Sequence, residues 1–499
     1  MTCTVRSLAA LLLGTMVLIC CGGGGKSTGA ASGTPVIVSF TASPASLAVG
    51  SSSSLAWQVT GATSLGIDMG VPAASGATGS ISVSPSATTK YTLTATNAAG
   101  SVTASTTVTV TNSAPAGGGA LGAVPAGLPA RLAVGLMEGP GATWMRDSGV
   151  PWDMRYQYFT VGWRNNWGWD ATNSGQWGLA FLQECDALNT RPVVEYYCMN
   201  NEPGGGEAQF FSKTQSATTM ASYFDDFKVL MQRCKDFGKP VLVLVEGDGF
   251  AYMEIQSGDN PNAPAAIAST GMAELQGLPN TAAGWGLAFL QIRQAVGARN
   301  VVLGMHVADW ATQKDLSYVS VTDPLQPEVD KAYAFLSQLG LAPNSTGQTF
   351  DVLVGDPLDR DSDFYRITQG VDRWWDASDS APIASKSFNR YAEWLRLWNG
   401  KAQKRWVLWQ IPLGNSNQLN VANTGQPSGG YKDNRPEYFF LGDDTHLRKF
   451  ADVGVIGLLF GAGASGQSLF QNDLYTDGQP FMKTHAGAFL KDGGLPLAP

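Results

Sequence analysis

Pro240-Val241-Leu242-Val243-Leu244-Val245-Glu246-Gly247-Asp248-Gly249 is a β-favouring apolar run that stops abruptly at two carboxylates set between glycines. A short continuous run of this kind describes a strand covered on both faces, as in a parallel sheet. Seven further runs after residue 130 share the pattern: Leu132–Met137, Tyr156–Trp163, Pro192–Tyr197, Asn300–Met305, Phe350–Val354, Arg405–Gln410 and Gly454–Phe460. Most gaps between them carry apolar residues at helical spacing, in Gly175–Leu188, Thr218–Phe237, Ala282–Val296, Pro327–Leu339 and Ser385–Trp398. Gly238 and Gly340 stand where helix C-terminal glycines are expected. The reading is α/β, a (β/α)8 TIM-type barrel over residues 130–499, with its active site at the C-terminal ends of the strands. Residues 200–215, 251–281 and 415–431 show no periodicity and are expected to be substrate-walling loops.

Such a barrel brings Glu138, Trp163, Glu195, Glu246, Asp248, His306, Asp309, Asp356, Asp359 and Gln410 to one mouth. A carboxylic acid near apolar walls keeps its proton to higher pH and can serve as a general acid, with a second carboxylate as base or nucleophile. Asp248, Glu246 and Asp356 are the expected catalytic set, because each lies at a strand end aimed into the cleft. Asp359 and Asp361 flank Arg360, a pattern that equally describes an ion-paired loop; Asp359 is carried as a binding candidate. The Asp spacing in this loop lacks the glycine and distal glutamate of an EF-hand, and His306 lacks companion ligands, so no metal site is expected. Glu195, His306, Asp309, Gln410 and Asn415 are expected to hydrogen-bond substrate. Trp163, Trp167 and Trp310, at strand ends or in loops, are expected to stack on sugar faces.

The stretch Val245-Glu246-Gly247-Asp248 resembles the fourth-strand Ile-Glu-Pro-Asp motif of glycoside hydrolase family six, with Gly247 in place of the proline. Val193-Val194-Glu195-Tyr196-Tyr197 and His306-Val307-Ala308-Asp309-Trp310 are similar to that family's third and fifth strand ends. The resemblance implies Asp248 as the acid and Glu246 as its support. The family's Lys-Pro-Gly-Gly-Glu-Ser-Asp stretch, which carries its candidate base, has no counterpart here. Gln410 ends the seventh strand, where the paired-glutamate clan of retaining glycosidases carries its nucleophile; an amide cannot take that role.

Upstream of the barrel, residues 35–111 alternate polar and apolar positions between Pro, Gly and Asn turn signals. With Trp57 and Tyr91 as core aromatics they resemble a bacterial immunoglobulin-like β-sandwich, expected to act as a spacer or to bind glycan. A Pro/Ala/Gly-rich stretch at 112–129 reads as a linker. The N-terminus has Arg6, an apolar run from Leu8 to Ile19, and then Cys20-Cys21-Gly22. This resembles a lipoprotein signal peptide of residues 1–20 with Cys21 as the lipidated residue, followed by a tether at 21–34. An ordinary secretory signal is the alternative. Cys185, Cys198 and Cys234 remain in the body, as buried thiols or with one disulfide pair.

The 499 residues carry a net charge of −8 with no basic run, which excludes a nucleic-acid footprint. Phosphate-binding loops, a G-x-S-x-G elbow and dinucleotide fingerprints are missing at strand-to-helix junctions, so no cofactor is expected. The expected protein is a monomeric glycoside hydrolase acting on a polysaccharide or oligosaccharide. It would sit in the bacterial cell envelope, held to a membrane by its lipid anchor, or be secreted. The alternative is a non-catalytic polysaccharide-binding surface lipoprotein. A lyase would need Lys or Arg against uronates, and a deacetylase would need His-rich metal ligation.

Overall fold

The computed structural model describes residues 33–48, 52–72, 74–85, 89–111, 121–165, 174–199, 206–414, 431–461 and 481–498. Its contacts divide the chain into two units, Met1–Asn112 and Ser113–Pro499.

The first unit is a small β domain of seven strands: β1 Val36–Ser43, β2 Ser46–Ala48, β3 Ser53–Thr60, β4 Ser64–Ile67, β5 Thr78–Val83, β6 Thr89–Asn97 and β7 Gly100–Thr111. They form two sheets, β1-β3-β5 and β2-β7-β6-β4, antiparallel except for the β2–β7 pair. Period-two alternation turns Leu55, Trp57 and Val59 of β3 inward, and likewise Tyr91, Leu93 and Ala95 of β6. The short strands β2 and β4 carry too few residues for alternation to reveal them in sequence.

The second unit is a closed barrel of eight parallel strands in chain order: β8 Ala133–Met137, β9 Met154–Phe159, β10 Arg191–Tyr196, β11 Val241–Val245, β12 Val301–His306, β13 Val352–Gly355, β14 Trp406–Pro412 and β15 Val455–Gly461. Each expected strand is present. Along β11, Val241, Val243 and Val245 face the helices, while Leu242 and Leu244 fill the barrel with Val193, Val302, Val354 and Leu459. Burial on both faces explains why these strands read as continuous apolar runs. Gly304 makes this interdigitation possible, since a Cβ there would stand 2.7 Å from Val354 and 3.0 Å from Leu244. Helices Gln176–Ala187, Ala217–Phe237, Ala282–Val296, Leu325–Leu336, Phe388–Ala402 and Thr445–Asp452 cover strands from β9 onward. Between β8 and β9 the only helix is the single turn Trp144–Asp147.

Three expectations are corrected. β9 begins at Met154 and ends at Phe159, because Gly162 (φ +95°) turns the chain before Trp163. Residues after Gly249 are not all loop: Gly249–Ser257 is a helix, and Asp248 is its N-cap residue. The expected linker of 112–129 is structured from Leu121 onward. There the Gly122 carbonyl accepts from Arg405 Nε at 2.5 Å, and Leu128 is buried beside Ala133 at the barrel's lower end. Cys185, Cys198 and Cys234 are free and buried. Among the described residues, no helix is long and apolar enough to cross a membrane.

Candidate active site

β11 ends in a break of its own alternation. Leu242 and Leu244 point into the barrel, and an unbroken strand would send Glu246 the same way. Instead Glu246 adopts a left-handed backbone (φ +51°), and its carboxyl enters the seam beneath helix Ala217–Phe237. There Oε1 accepts from Cys198 N at 3.0 Å, Met199 N at 2.9 Å and the Tyr223 hydroxyl at 2.8 Å. Glu246 has no accessible surface, and burial pushes its pKa up to about 8 against those three bonds. The expectation that Glu246 belongs to the catalytic set is therefore corrected: it ties strand end to helix.

The same turn delivers Asp248 to the mouth, where it is partly exposed. The Tyr197 hydroxyl lies 3.3 Å from its Oδ2. Its pKa is raised to about 6, first by desolvation, then by the negative charges of Glu207 and Asp359; His306 and the Tyr197 bond oppose the rise. Gly247 is required for close approach, since a Cβ there would stand 2.9 Å from the Trp409 ring.

Below this point lies a buried polar floor. His306 Nε2 is 3.1 Å from Glu195 Oε2, and the imidazole meets Trp409 edge-on at 4.9 Å. Desolvation lowers the His306 pKa to about 3 and holds Glu195 well above the usual carboxylate range. Each is driven toward its neutral form, so the pair shares one hydrogen bond. Glu195 has no accessible surface, which corrects its expected contact with substrate; it orients His306 from beneath.

Asp356 follows β13 and is also partly exposed. Desolvation is the main cause of its strongly raised pKa, followed by the charges of Asp359, Asp248 and Asp309. Its loop is held by Arg435, which is fully buried and bonds both oxygens of Asp433 at 3.0 and 2.8 Å and Ser362 Oγ at 3.1 Å. Arg435 also lies 4.3 Å over the Trp375 ring and donates to the Tyr318 hydroxyl. Tyr318 in turn donates to the carbonyl of Pro357, next to Asp356. One guanidinium thus joins the loops that follow β12, β13 and β14.

Other expected site residues are distributed as follows. Asp359 accepts from Arg360 and Tyr365, the ion-paired alternative of the sequence reading. Asp309 is 9% exposed, with a pKa raised to about 7 mainly by burial. Gln410 is 8% exposed at a bulge of β14 (φ +55°). Trp310 remains partly exposed, 5.3 Å from the Tyr252 ring. Trp163 is corrected: it is fully buried, 5.0 Å from Phe159, and donates to Asp226 at 2.6 Å, so its ring offers no face to a ligand. Trp167, Asn415 and Cys21 lie outside the described residues. Among the described residues no group of three His, Cys, Asp or Glu side chains is arranged to hold a metal ion.

The aromatic wall consists instead of Tyr158 and Tyr197, with ring centroids 6.3 Å apart, backed by the buried Trp409 at 5.8 Å from Tyr158. The signal that would have found Tyr158 and Trp409 is strand alternation: they continue the inward rows of Met154 and Tyr156 in β9 and of Val407 in β14.

No protein-family model matches the chain, and no curated protein matches it. Among solved structures it is similar to a family 26 β-mannanase from Bacteroides ovatus, at 10% identity over 70% of this chain and 89% of that one, with a TM-score of 0.33. An endo-β-1,4-mannanase double mutant from Cellulomonas fimi shares 12% identity over 74% and 80%, with a TM-score of 0.37. Xylanase B from Clostridium stercorarium F9 shares 10% over 68% and 88%, at 0.33. At these values the likeness carries no argument, and both the fold and the chemistry of the site are read from this chain's own residues.

The position of Glu246 has a measurable consequence. Its folded pKa lies above that of the unfolded chain, so the stability it contributes is full below about pH 4.5 and is lost as pH rises through about 8. Glu246→Gln keeps an acceptor for all three bonds and removes the ionisation. Urea unfolding should show a constant difference between the two proteins below about pH 4.5, a shift in the variant's favour of up to about 1.4 kcal/mol per pH unit from there to about pH 8, and no further change above it. A pH-independent difference between the two proteins would refute this placement.

Proposed function

We propose that the barrel is a glycoside hydrolase in which Asp248 and Asp356 form the catalytic pair. The observation that carries this reading is Asp248 itself: a partly exposed carboxyl with a pKa near 6, beside a second raised carboxyl and under an aromatic wall. The negative charge of Asp248 adds to the desolvation that raises Asp356, so the two carboxyls resist ionising together. Asp248 is the donor to the glycosidic oxygen, because a group that releases its proton near pH 6 suits transfer near neutrality. Asp356 must ionise to serve as base or nucleophile, and a proton on Asp248 removes one of the charges that oppose this. Tyr197, Tyr158 and Trp310 supply ring surface for sugar C–H faces, and Gln410 an amide for hydroxyls. The expected substrate is a polysaccharide or oligosaccharide. The sequence Cys20-Cys21-Gly22 after an apolar stretch supports envelope anchoring through a lipidated Cys21, and residues 35–111 serve as an immunoglobulin-like spacer.

The reading is tested with purified protein on a panel of bacterial and plant glycans, with products identified by mass spectrometry. Asp248→Asn should lower the rate about 10²- to 10⁴-fold on natural glycans and less on activated aryl glycosides, which need little protonation. The wild-type kcat/KM should fall as pH rises through about 6, and that limb should be missing in the variant. Binding without new reducing ends across the panel would instead identify a polysaccharide-binding protein. For the anchor, Cys21→Ala should shift the protein from membrane to soluble fractions in the producing bacterium. Unchanged membrane association would contradict lipidation at that residue.

A further inference from the structure

The opposite end of the barrel carries a second feature that the proposed catalysis does not use. A cavity of about 710 Å³ opens at the N-terminal ends of β12, β13 and β14, with Arg293, Arg299, Asp351 and Lys404 in its lining. The size falls within the ordinary range for small-molecule sites. Three cations face one carboxylate there, although the whole chain is acidic at −8. Asp351 is already committed to the Arg293 guanidinium and to Leu303 N at 2.8 Å. No described residue hydrogen-bonds or ion-pairs with the side chain of Lys404 or Arg299. Lys404 is half-buried, and desolvation pulls its pKa below the usual lysine range, assisted by Arg293 and opposed by Asp351. An ammonium in that position gains from an anion that restores what burial removed.

The cavity is also preformed. Pro125 and Val301 give it an apolar wall beside the charges. The segment that carries Pro125 is pinned on both sides. Gly122 approaches Gln403 so closely that a Cβ would meet its carbonyl at 2.1 Å, and a Cβ on Gly127 would meet Pro240 at 2.5 Å. A cationic head region next to a fixed apolar wall recognises an anion attached to a body, in preference to a bare ion.

We propose that this cavity binds a small organic oxyanion, a phosphate ester or a carboxylate, with its charged group on Lys404 and Arg299 and its body against Pro125 and Val301. The proposal stands apart from the catalytic reading, because the site lies at the opposite ends of the strands from Asp248.

Isothermal titration of the full chain with glucose 6-phosphate, glucuronate, inorganic phosphate and glucose tests it. One of the two organic anions should bind at least tenfold more tightly than both glucose and inorganic phosphate, and which one does so identifies the head group. Lys404→Gln and Arg299→Gln should each weaken that binding about tenfold or more. Arg299 is exposed, so its variant reports binding even if Lys404→Gln perturbs folding. The proposal is overturned if neither organic anion binds, if glucose or inorganic phosphate binds as well, or if the Arg299 variant binds with unchanged affinity.

Discussion

A buried strand sends alternate side chains to opposite faces, and β11 breaks that rule at one residue. The left-handed backbone of Glu246 sends its carboxyl outward to Cys198, Met199 and Tyr223, and the next two residues bring Asp248 over the barrel mouth. A left-handed backbone at a residue with a Cβ costs about 1–2 kcal/mol. The three hydrogen bonds at Glu246 Oε1, and the absence of a Cβ at Gly247 beneath Trp409, are what hold it there. Without this turn Glu246 would occupy the inward position above Leu244, and the cleft would have a different floor.

The ionisable groups around that turn are buried. Glu195, Glu246 and Asp309 are all buried and all displaced toward their neutral forms, and His306 is displaced toward neutral imidazole. Burial of this many ionisable groups works against stability, and Arg435 shows how the loops compensate. A single paired guanidinium with an aromatic face beneath it connects three loops and adds to the bonds they already share, such as Ser362 N to Asp433 and Gly414 N to Asp361. Asp356 inherits its position from that connection through Tyr318 and Pro357.

All eight barrel strands were legible because burial on both faces leaves a composition signal that needs no tertiary information. The helix ends were legible for the same kind of reason: Gly238 and Gly340 have positive φ as expected. Side-chain destinations were less accessible. Glu246 and Asp248 are equivalent carboxylates at a strand end in sequence, and only the backbone turn separates them. Trp163 was misplaced because the sequence does not mark where β9 ends, and the Asp226 partner that buries its indole lies 63 residues away. Tyr158 and Trp409 escaped notice inside apolar runs, where aromatic residues read as core. Residues 251–281 read as loop for want of periodicity, whereas the helix Gly249–Ser257 runs into their start.

The central claim is that Asp248, rather than Glu246, is the carboxyl that changes charge in the cleft near neutrality. Its most direct test is a ¹³C-carboxyl NMR titration of the protein labelled at aspartate, with the Asp248 resonance assigned by its loss in Asp248→Asn. The account predicts an apparent pKa near 6 for that resonance. In Glu207→Gln it should fall toward the ordinary aspartate value, as a negative charge that raises it is removed. An Asp248 resonance that titrates near 4, unchanged in Glu207→Gln, would contradict it.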